Sequence, residues 1–342
     1  MALIPGYAQP DAIVSVQEST DVSSARRVIA SRASKAGFSE EEAGKAALIA
    51  TEAASNLIKH GSGGEVIVRH LSGTGRGVLE IIAIDRGRGM SNIARCFEDG
   101  YSTGGSPGTG LGAIARLSTF HDIYSVVEKG TVLLARIGNE AHSDEKLLTG
   151  AVNVPYPGEE VCGDAWTFHI GAERTRFIVA DGLGHGVFAA EASRSAIQSI
   201  GDARYPQPAD VIEDAHLRLK ATRGAAVAVV DVNFRTGIAN FAGVGNVAGA
   251  IITDRGVKRQ MVSMNGTLGH QMGRSRQFEY PFEADSLLIL HSDGLSANWS
   301  LDKYPGLHLR HPSVIAGVLF RDFRRVRDDA TVVVARRKGH AE

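Results

Sequence analysis

Four times from Asp164 onward this chain sets an aspartate at the boundary of an apolar, β-branched run, and that recurrence constrains the fold more than any other feature. Asp164 stands in Val-Cys-Gly-Asp ahead of a strand, and Asp181-Gly182 ends the run Arg176–Ala180. Asp293-Gly294 follows Leu287–Leu290 plus His-Ser, and Asp328-Asp329-Ala330-Thr331 leads into Val332–Ala335. One Asp-Gly pair reads as a β-turn, because both residues suit turns. Four aspartates at strand boundaries, two of them in Asp-Gly pairs, also read as a carboxylate cluster of the kind hard divalent ions require. Two Mg2+ or Mn2+ ions held in such a cluster can supply a bridging hydroxide and neutralise a phosphate ester.

Further β-branched runs surround these aspartates: Ala225–Asp231, Gly237–Gly243, Ala248–Thr253 and Ser286–His291. Helical stretches fit Ala189–Ile200, Ala209–Lys220 and Pro312–Phe323. Many strands with few helices predict a β-sandwich flanked by helices.

The first part has a different pattern. Ser39-Glu40-Glu41-Glu42 reads as a capping box opening a helix to about Lys59. An earlier helix fits Ser23–Ala36, stopped by Gly37. Strands fit Glu65–Leu71, Val78–Ile84, His121–Val127 and Thr131–Ile137, and a short helix ends near Thr119. This is an α+β pattern, with helices ahead of a mostly antiparallel sheet. The polar stretch 138–149 reads as a linker, which divides the chain into domains over 1–140 and 150–342.

The length of 342 residues agrees with two domains. The formal net charge of -1 gives no case for nucleic acid or anionic membrane as partner. No apolar run approaches the roughly 20 residues of a membrane span. Cys96 and Cys162 fall in different domains, and no signal peptide is visible, so a reducing cytoplasm is the expected location.

The 40 glycines cluster, and in the first part they cluster beside polar residues. Glu52, Asn56 and His60, four apart, form one stripe of a helix. Alone, such a stripe reads as a wet face. Asp85-Arg86-Gly87-Arg88-Gly89 then follows an apolar strand, where a carboxylate can receive an adenine amino group. Gly104 to Gly112 (GGSPGTGLG) opens a helix whose free N–H groups can hold phosphate oxygens.

These three motifs, in this order, resemble the GHKL ATP-binding fold, and GYSTGGSPGTGLG resembles serine kinases of the RsbT and SpoIIAB kind over about Ser23 to Ile137. The resemblance implies a Bergerat-type α/β sandwich that binds ATP. It implies that Asn56 ligates Mg2+ and that Glu52 is the general base toward an acceptor serine. Asp85 with Gly87 and Gly89 would hold adenine, and Gly108, Gly110 and Gly112 would line the phosphate lid. His60 fits the motif, with its role open.

DGLGHG, Gly243–Asn246 (GVGN), Asn265–Gly269 (NGTLG), SDGL and DDATVVV resemble PPM-family metal-dependent protein phosphatases, of the SpoIIE and RsbX branch, over about Gly150 to Arg337. That implies an α-β-β-α sandwich. Asp181 would bridge two Mg2+ or Mn2+ ions, the Gly182 carbonyl would add a ligand, and Asp293, Asp328 and Asp164 would complete the set. Asp329 is the lesser candidate of its pair. His185 would serve in proton transfer or in ordering its loop. The phosphate-binding arginine of larger relatives is not visible. Arg321, Arg324, Arg325 and Arg327 crowd near Asp328, either steering a phosphopeptide or forming a solvated face. Trp166 and Trp299 read as packing residues.

Together the resemblances imply a bifunctional serine/threonine kinase and phosphatase in a sigma-factor-type partner-switching pathway. Its expected partners are STAS-domain anti-sigma-antagonist-like proteins, a sigma-factor regulator or a downstream phosphatase. A homodimer is a further expectation. The other reading makes the first domain an ATP-binding, partner-binding module that transfers no phosphate.

Overall fold

The computed structural model describes residues 10–71, 77–96, 110–138, 146–171, 173–201 and 206–338. It divides into two compact units. One runs Asp11–Ser143 and adds Leu309–Arg321; the other takes Asp144–His308 and Asp322–Glu342.

The first unit begins with strand β1 (Ala12–Val16) and helices α1 (Ser19–Lys35) and α2 (Glu40–Gly61). Strands β2 (Gly64–Leu71) and β3 (Val78–Asp85), short helices α3 (Ile93–Cys96) and α4 (Gly110–Leu117), and strands β4 (Phe120–Val126) and β5 (Gly130–Gly138) follow. The capping box at Ser39 and Glu42 forms as the sequence predicts. Helix α1 starts earlier than expected because Glu18 and Asp21 make a second box. The sheet runs β1-β2-β3-β5-β4 with every pair antiparallel. Its edge strand β1 escaped the sequence reading.

Leu79, Ile81 and Ala83 of β3 pack with Ile49, Ala50 and Ala53 of α2 on one face of this sheet. The alternate residues Glu80, Ile82 and Ile84 are buried too. A sheet buried on both faces produces continuous apolar runs rather than alternation, as here.

The second unit contains β6 (Leu147–Val154), β7 (Asp164–Ile170), β8 (Arg174–Gly182), α5 (Val187–Ile197), α6 (Pro208–Arg218), β9 (Ala225–Asn233) and β10 (Ile238–Val244). It continues through β11 (Ala248–Ile252), β12 (Lys258–Gln260), β13 (Gly266–Thr267), β14 (Gln271–Met272), β15 (Phe278–Pro281) and β16 (Leu287–His291). Helix α7 (Pro312–Phe323) and strand β17 (Ala330–Arg337) end the order. One sheet runs β15-β10-β9-β8-β7 and the other β12-β11-β16-β17-β6. Phe177, Val179 and Phe241 meet Leu288, Leu290 and Val333 between them. Helices α5 and α6 cover the first sheet through Ala192, Ala196, Val211 and Ile212.

Two expectations are corrected here. The linker reading of 138–149 fails at both ends: Gly138 closes β5, and Leu147–Thr149 pair with β17. Helix α7, late in the chain, is counted as far as Arg321 with the first unit. A Cβ on its Gly317 would stand 2.8 Å from Val132 and 3.4 Å from Ile82, on the sheet face that carries Glu80. Ser313 Oγ donates to Glu80 Oε2 at 2.8 Å. Arg136 Nε donates to the same carboxylate at 2.8 Å, and Arg69 pairs with its other oxygen. Burial pushes the Glu80 carboxyl up, but the two guanidiniums outweigh it and hold its pKa down to about 2.

Candidate nucleotide and metal sites

In the first unit, α2 presents Glu52, Asn56 and His60 half-buried, while Ala53, Ala54 and Leu57 fill the core. Helix α4 starts against this stripe. A Cβ on Gly110 would stand 3.1 Å from Glu52 Oε2 and 3.3 Å from Asn56 Oδ1, so only glycine leaves both groups undisturbed. Gly112 is buried in the same helix. Gly108 lies outside the described residues.

Asp85 ends β3, and its Oδ1 accepts from the N–H groups of Gly87 at 2.8 Å and Thr131 at 3.2 Å. Burial raises its pKa against these bonds. Gly61 and Gly87 make the room: a Cβ on Gly61 would fall 2.6 Å from Asp85 Cβ, and one on Gly87 2.4 Å from the His60 carbonyl. Gly89 has φ +65° and backs onto the Val126 carbonyl. Arg88 Nη2 donates to His60 Nδ1 at 3.2 Å. Burial and then Arg88 lower the His60 pKa, which favours the neutral imidazole. The α2 stripe thus lies against the start of α4 at Gly110 and against the Asp85 turn at Gly61 and Gly87.

In the second unit the β7–β8 ladder sets Asp164 directly opposite Asp181. Strands β16 and β17 bring up the other aspartates, with His291 paired to Val332 and Ser292 N–H donating to the Thr331 carbonyl at 3.1 Å. Asn246 Nδ2 donates to Asp293 Oδ2 at 2.5 Å. The Asp293 backbone also hydrogen-bonds Asp181, and its carboxyl meets that of Asp328. The site therefore joins ends from both sheets of the sandwich.

The glycines beside these aspartates are not left-handed turn residues: Gly163, Gly182 and Gly294 are all absent from the positive-φ positions. They serve close approach. A Cβ on Gly182 would fall 2.0 Å from the Ala189 carbonyl, and one on Gly294 1.8 Å from the Asp329 carbonyl.

Crowding shapes the electrostatics. Burial, followed by the charges of Asp164 and Asp293, pushes Asp181 well above the usual carboxylate range. Asp164 rises through burial and Asp329, and Asp328 rises to about 6 through burial and Asp293. Asp164 Oδ2 is buried without a hydrogen-bond partner. An orphaned carboxyl oxygen among mutually repelling aspartates fits divalent cations, which neutralise such a cluster. In the geometry seen here, no group of three His, Cys, Asp or Glu among the described residues already has the spacing of a metal cage. Asp329 Oδ1 accepts from the Tyr156 N–H at 2.8 Å, while its Oδ2, like that of Asp164, is buried without a hydrogen-bond partner. His185 is held by Glu159 at 2.9 Å and stacks on Tyr156, which orders its loop.

Arg321 is not a steering residue. It is 2% exposed and donates to the Asp85 carbonyl at 3.4 Å within the first unit. Trp166 and Trp299 are both 2% exposed, as packing residues should be. Sequence reasoning missed the Glu159–Tyr156 hold on His185 and the exposed Arg223, which follows a helical turn in which nothing marks it.

The fold comprises an antiparallel sheet packed on helices α1 and α2 in the first unit, and in the second a β-sandwich that carries helices α5 and α6 on one sheet and a carboxylate cluster at its strand ends. Residues 16–137 match the histidine kinase-like ATPase domain, and residues 171–338 match the family described as Stage II sporulation protein E. The serine/threonine-protein kinase RsbT of Bacillus subtilis is 30% identical over 122 residues, 36% of this chain and 92% of RsbT. The phosphoserine phosphatase RsbX of the same organism is 24% identical over 157 residues, 46% of this chain and 79% of RsbX. A structure solved in work on the bacterial stressosome is 28% identical with a TM-score of 0.52, covering 56% of this chain and all of that one. The chain belongs to the RsbT-type histidine kinase-like ATPases and carries a SpoIIE-type PPM phosphatase domain after the ATPase domain. Among the described residues no helix is long and apolar enough to cross a membrane.

Proposed function

We propose that this chain both adds and removes phosphate on serine or threonine of STAS-domain partners in a partner-switching pathway. The kinase reading is supported by Glu52 and Asn56, which stand side by side against Gly110. Asn56 would hold Mg2+ on the ATP phosphates, Glu52 would take the acceptor hydroxyl proton, and Asp85 would bind adenine. Similarity to RsbT supports transfer to protein serine or threonine.

The observation that carries the phosphatase reading is the convergence of Asp164, Asp181, Asp293 and Asp328 from two sheets. Mg2+ or Mn2+ bound there would supply a hydroxide at neutral pH. Asp181 and the Gly182 carbonyl would hold both ions, Asp293 and Asp328 would complete their protein ligands, and Asp164 would lie on or beside the set. Asn246 keeps Asp293 oriented.

One experiment tests both halves. The Asp181→Ala variant is incubated with Mg-ATP and a STAS-domain protein, and phosphorylation is followed by mass spectrometry. Phosphate should accumulate in this variant, and adding wild-type protein with Mn2+ should remove it. No transfer by Asp181→Ala would sink the kinase half. Hydrolysis by wild type that persists in EDTA would sink the two-metal half.

A further inference from the structure

We infer that Arg223 clasps the substrate phosphoryl group in the phosphatase reaction, with Phe188 holding its guanidinium in place. This rests on the phosphatase reading above.

The β8–β9 ladder pairs Asp181 with Ala226 and Gly182 with Ala225. One step further, Leu183 N–H donates to the Gly224 carbonyl at 3.0 Å. The next position outward on that chain is Arg223, facing Gly184. Its Nη1 lies 3.3 Å from where a Gly184 Cβ would stand, and Gly184 has φ +87°. Glycine there admits the guanidinium where any side chain would crowd it. The guanidinium carbon lies 4.9 Å from the Phe188 ring centroid. Arg223 is therefore an exposed cation at the same sheet end that delivers Asp181 and Gly182.

The backbone behind it is fixed. The Arg223 carbonyl is hydrogen-bonded to His270 Nε2 at 2.8 Å. Ala225 and Leu268 exchange N–H···O bonds of 3.1 and 2.9 Å. A Cβ on Gly224 would fall 2.5 Å from the Leu268 carbonyl. This assigns work to the NGTLG motif: through Leu268 it buttresses the backbone that carries Arg223. A guanidinium presents a planar fork that matches two phosphoryl oxygens, and stacking on an aromatic face leaves its edge free for them. The ligand it fits is a phosphate monoester dianion.

The test compares wild type with Arg223→Ala, Arg223→Lys, Phe188→Ala and Phe188→Tyr, all loaded with Mn2+. The substrates are p-nitrophenyl phosphate and a synthetic phosphoserine peptide, and inorganic phosphate is titrated by calorimetry. Arg223→Ala should raise KM for both substrates and the phosphate Kd by roughly 10–100-fold, the value of hydrogen bonds to a charged group. Its Mn2+ affinity should match wild type. Lysine should recover part of the loss, since it keeps charge without the fork. Phe188→Ala should raise KM severalfold, with Phe188→Tyr restoring it and the double variant no worse than Arg223→Ala. A KM change confined to the peptide, unchanged phosphate binding, or lost Mn2+ binding in Arg223→Ala would each overturn the assignment. Phosphate calorimetry decides it even if wild type hydrolyses neither substrate, a result that would sink the phosphatase reading alone.

Discussion

Asp164 and Asp181 face each other as a direct cross-strand pair of β7 and β8. Like charges so opposed destabilise a sheet, and burial raises the cost. The pair makes physical sense as a cation site. Replacing Asp164 by Asn should weaken Mn2+ binding by about 10–100-fold, as loss of a ligand-orienting group does. The metal-free variant should melt higher than metal-free wild type. Calorimetry and thermal melts in EDTA check both, and a lower metal-free melt would refute the repulsion argument.

The same aspartates set a pH dependence. The folded-state pKa of Asp164, Asp181 and Asp328 is raised above the ordinary 3.8, to about 6 for Asp328. The folded chain therefore holds protons that the unfolded chain has released, and stability falls as pH rises through that window. Metal-free protein should lose melting temperature from about pH 5 to about pH 8, while Mn2+ affinity grows as the ligands deprotonate. Melts in EDTA and in Mn2+ across that range should diverge. An EDTA series that climbs toward pH 8 would contradict the assignment.

Glu80 titrates with the opposite sign. Its folded pKa, about 2, lies below its ordinary 4.5. The stability it contributes is complete above about 4.5 and is lost as pH falls through about 2. Glu80→Ala leaves Arg69 and Arg136 buried beside an empty partner site, and breaking such a pair costs about 3–5 kcal/mol. Urea unfolding of the first unit's signal should report that loss. A change under about 1 kcal/mol would mean the arginines find other partners.

Helix α2 was legible because its information is local: Ser39 and Glu42 cap it, and its polar stripe repeats every four residues. The clustered aspartates were legible because each ends or starts an apolar run. What escaped depends on distant contacts. Strand β6 contains Gly150 and follows a polar stretch, and its status comes from pairing with β17. Arg321 looked like a surface cation beside Asp328, yet α7 is buried around its whole circumference and carries Arg321 to the Asp85 carbonyl. Glu80, a charge within a strand of apolar residues, gave no sign that its third partner is Ser313. The meaning of Gly182 and Gly294 likewise needed coordinates: sequence alone offers a turn, and the backbone contacts show close packing.

Gly110 separates catalysis from stability in the kinase half. Alanine there should favour helix α4 by roughly 0.5–1 kcal/mol through propensity. Its Cβ would nevertheless stand 3.1 Å from Glu52 Oε2 and 3.3 Å from Asn56 Oδ1, closer than either group can comfortably accept. One of the two must turn away, and these are the groups proposed to hold Mg2+ and to accept the proton. In the Asp181→Ala background, which prevents erasure, Gly110→Ala should transfer phosphate more slowly while melting no lower. Glu52→Gln provides the reference. It should bind ATP as the parent does and lose about 10²–10⁴-fold in transfer rate, the usual contribution of a positioned base. Transfer is read by mass spectrometry of the STAS-domain acceptor, and ATP binding by calorimetry. Gly110→Ala with an undiminished transfer rate would show that α4 begins farther from Glu52 during the reaction than it does in this structure.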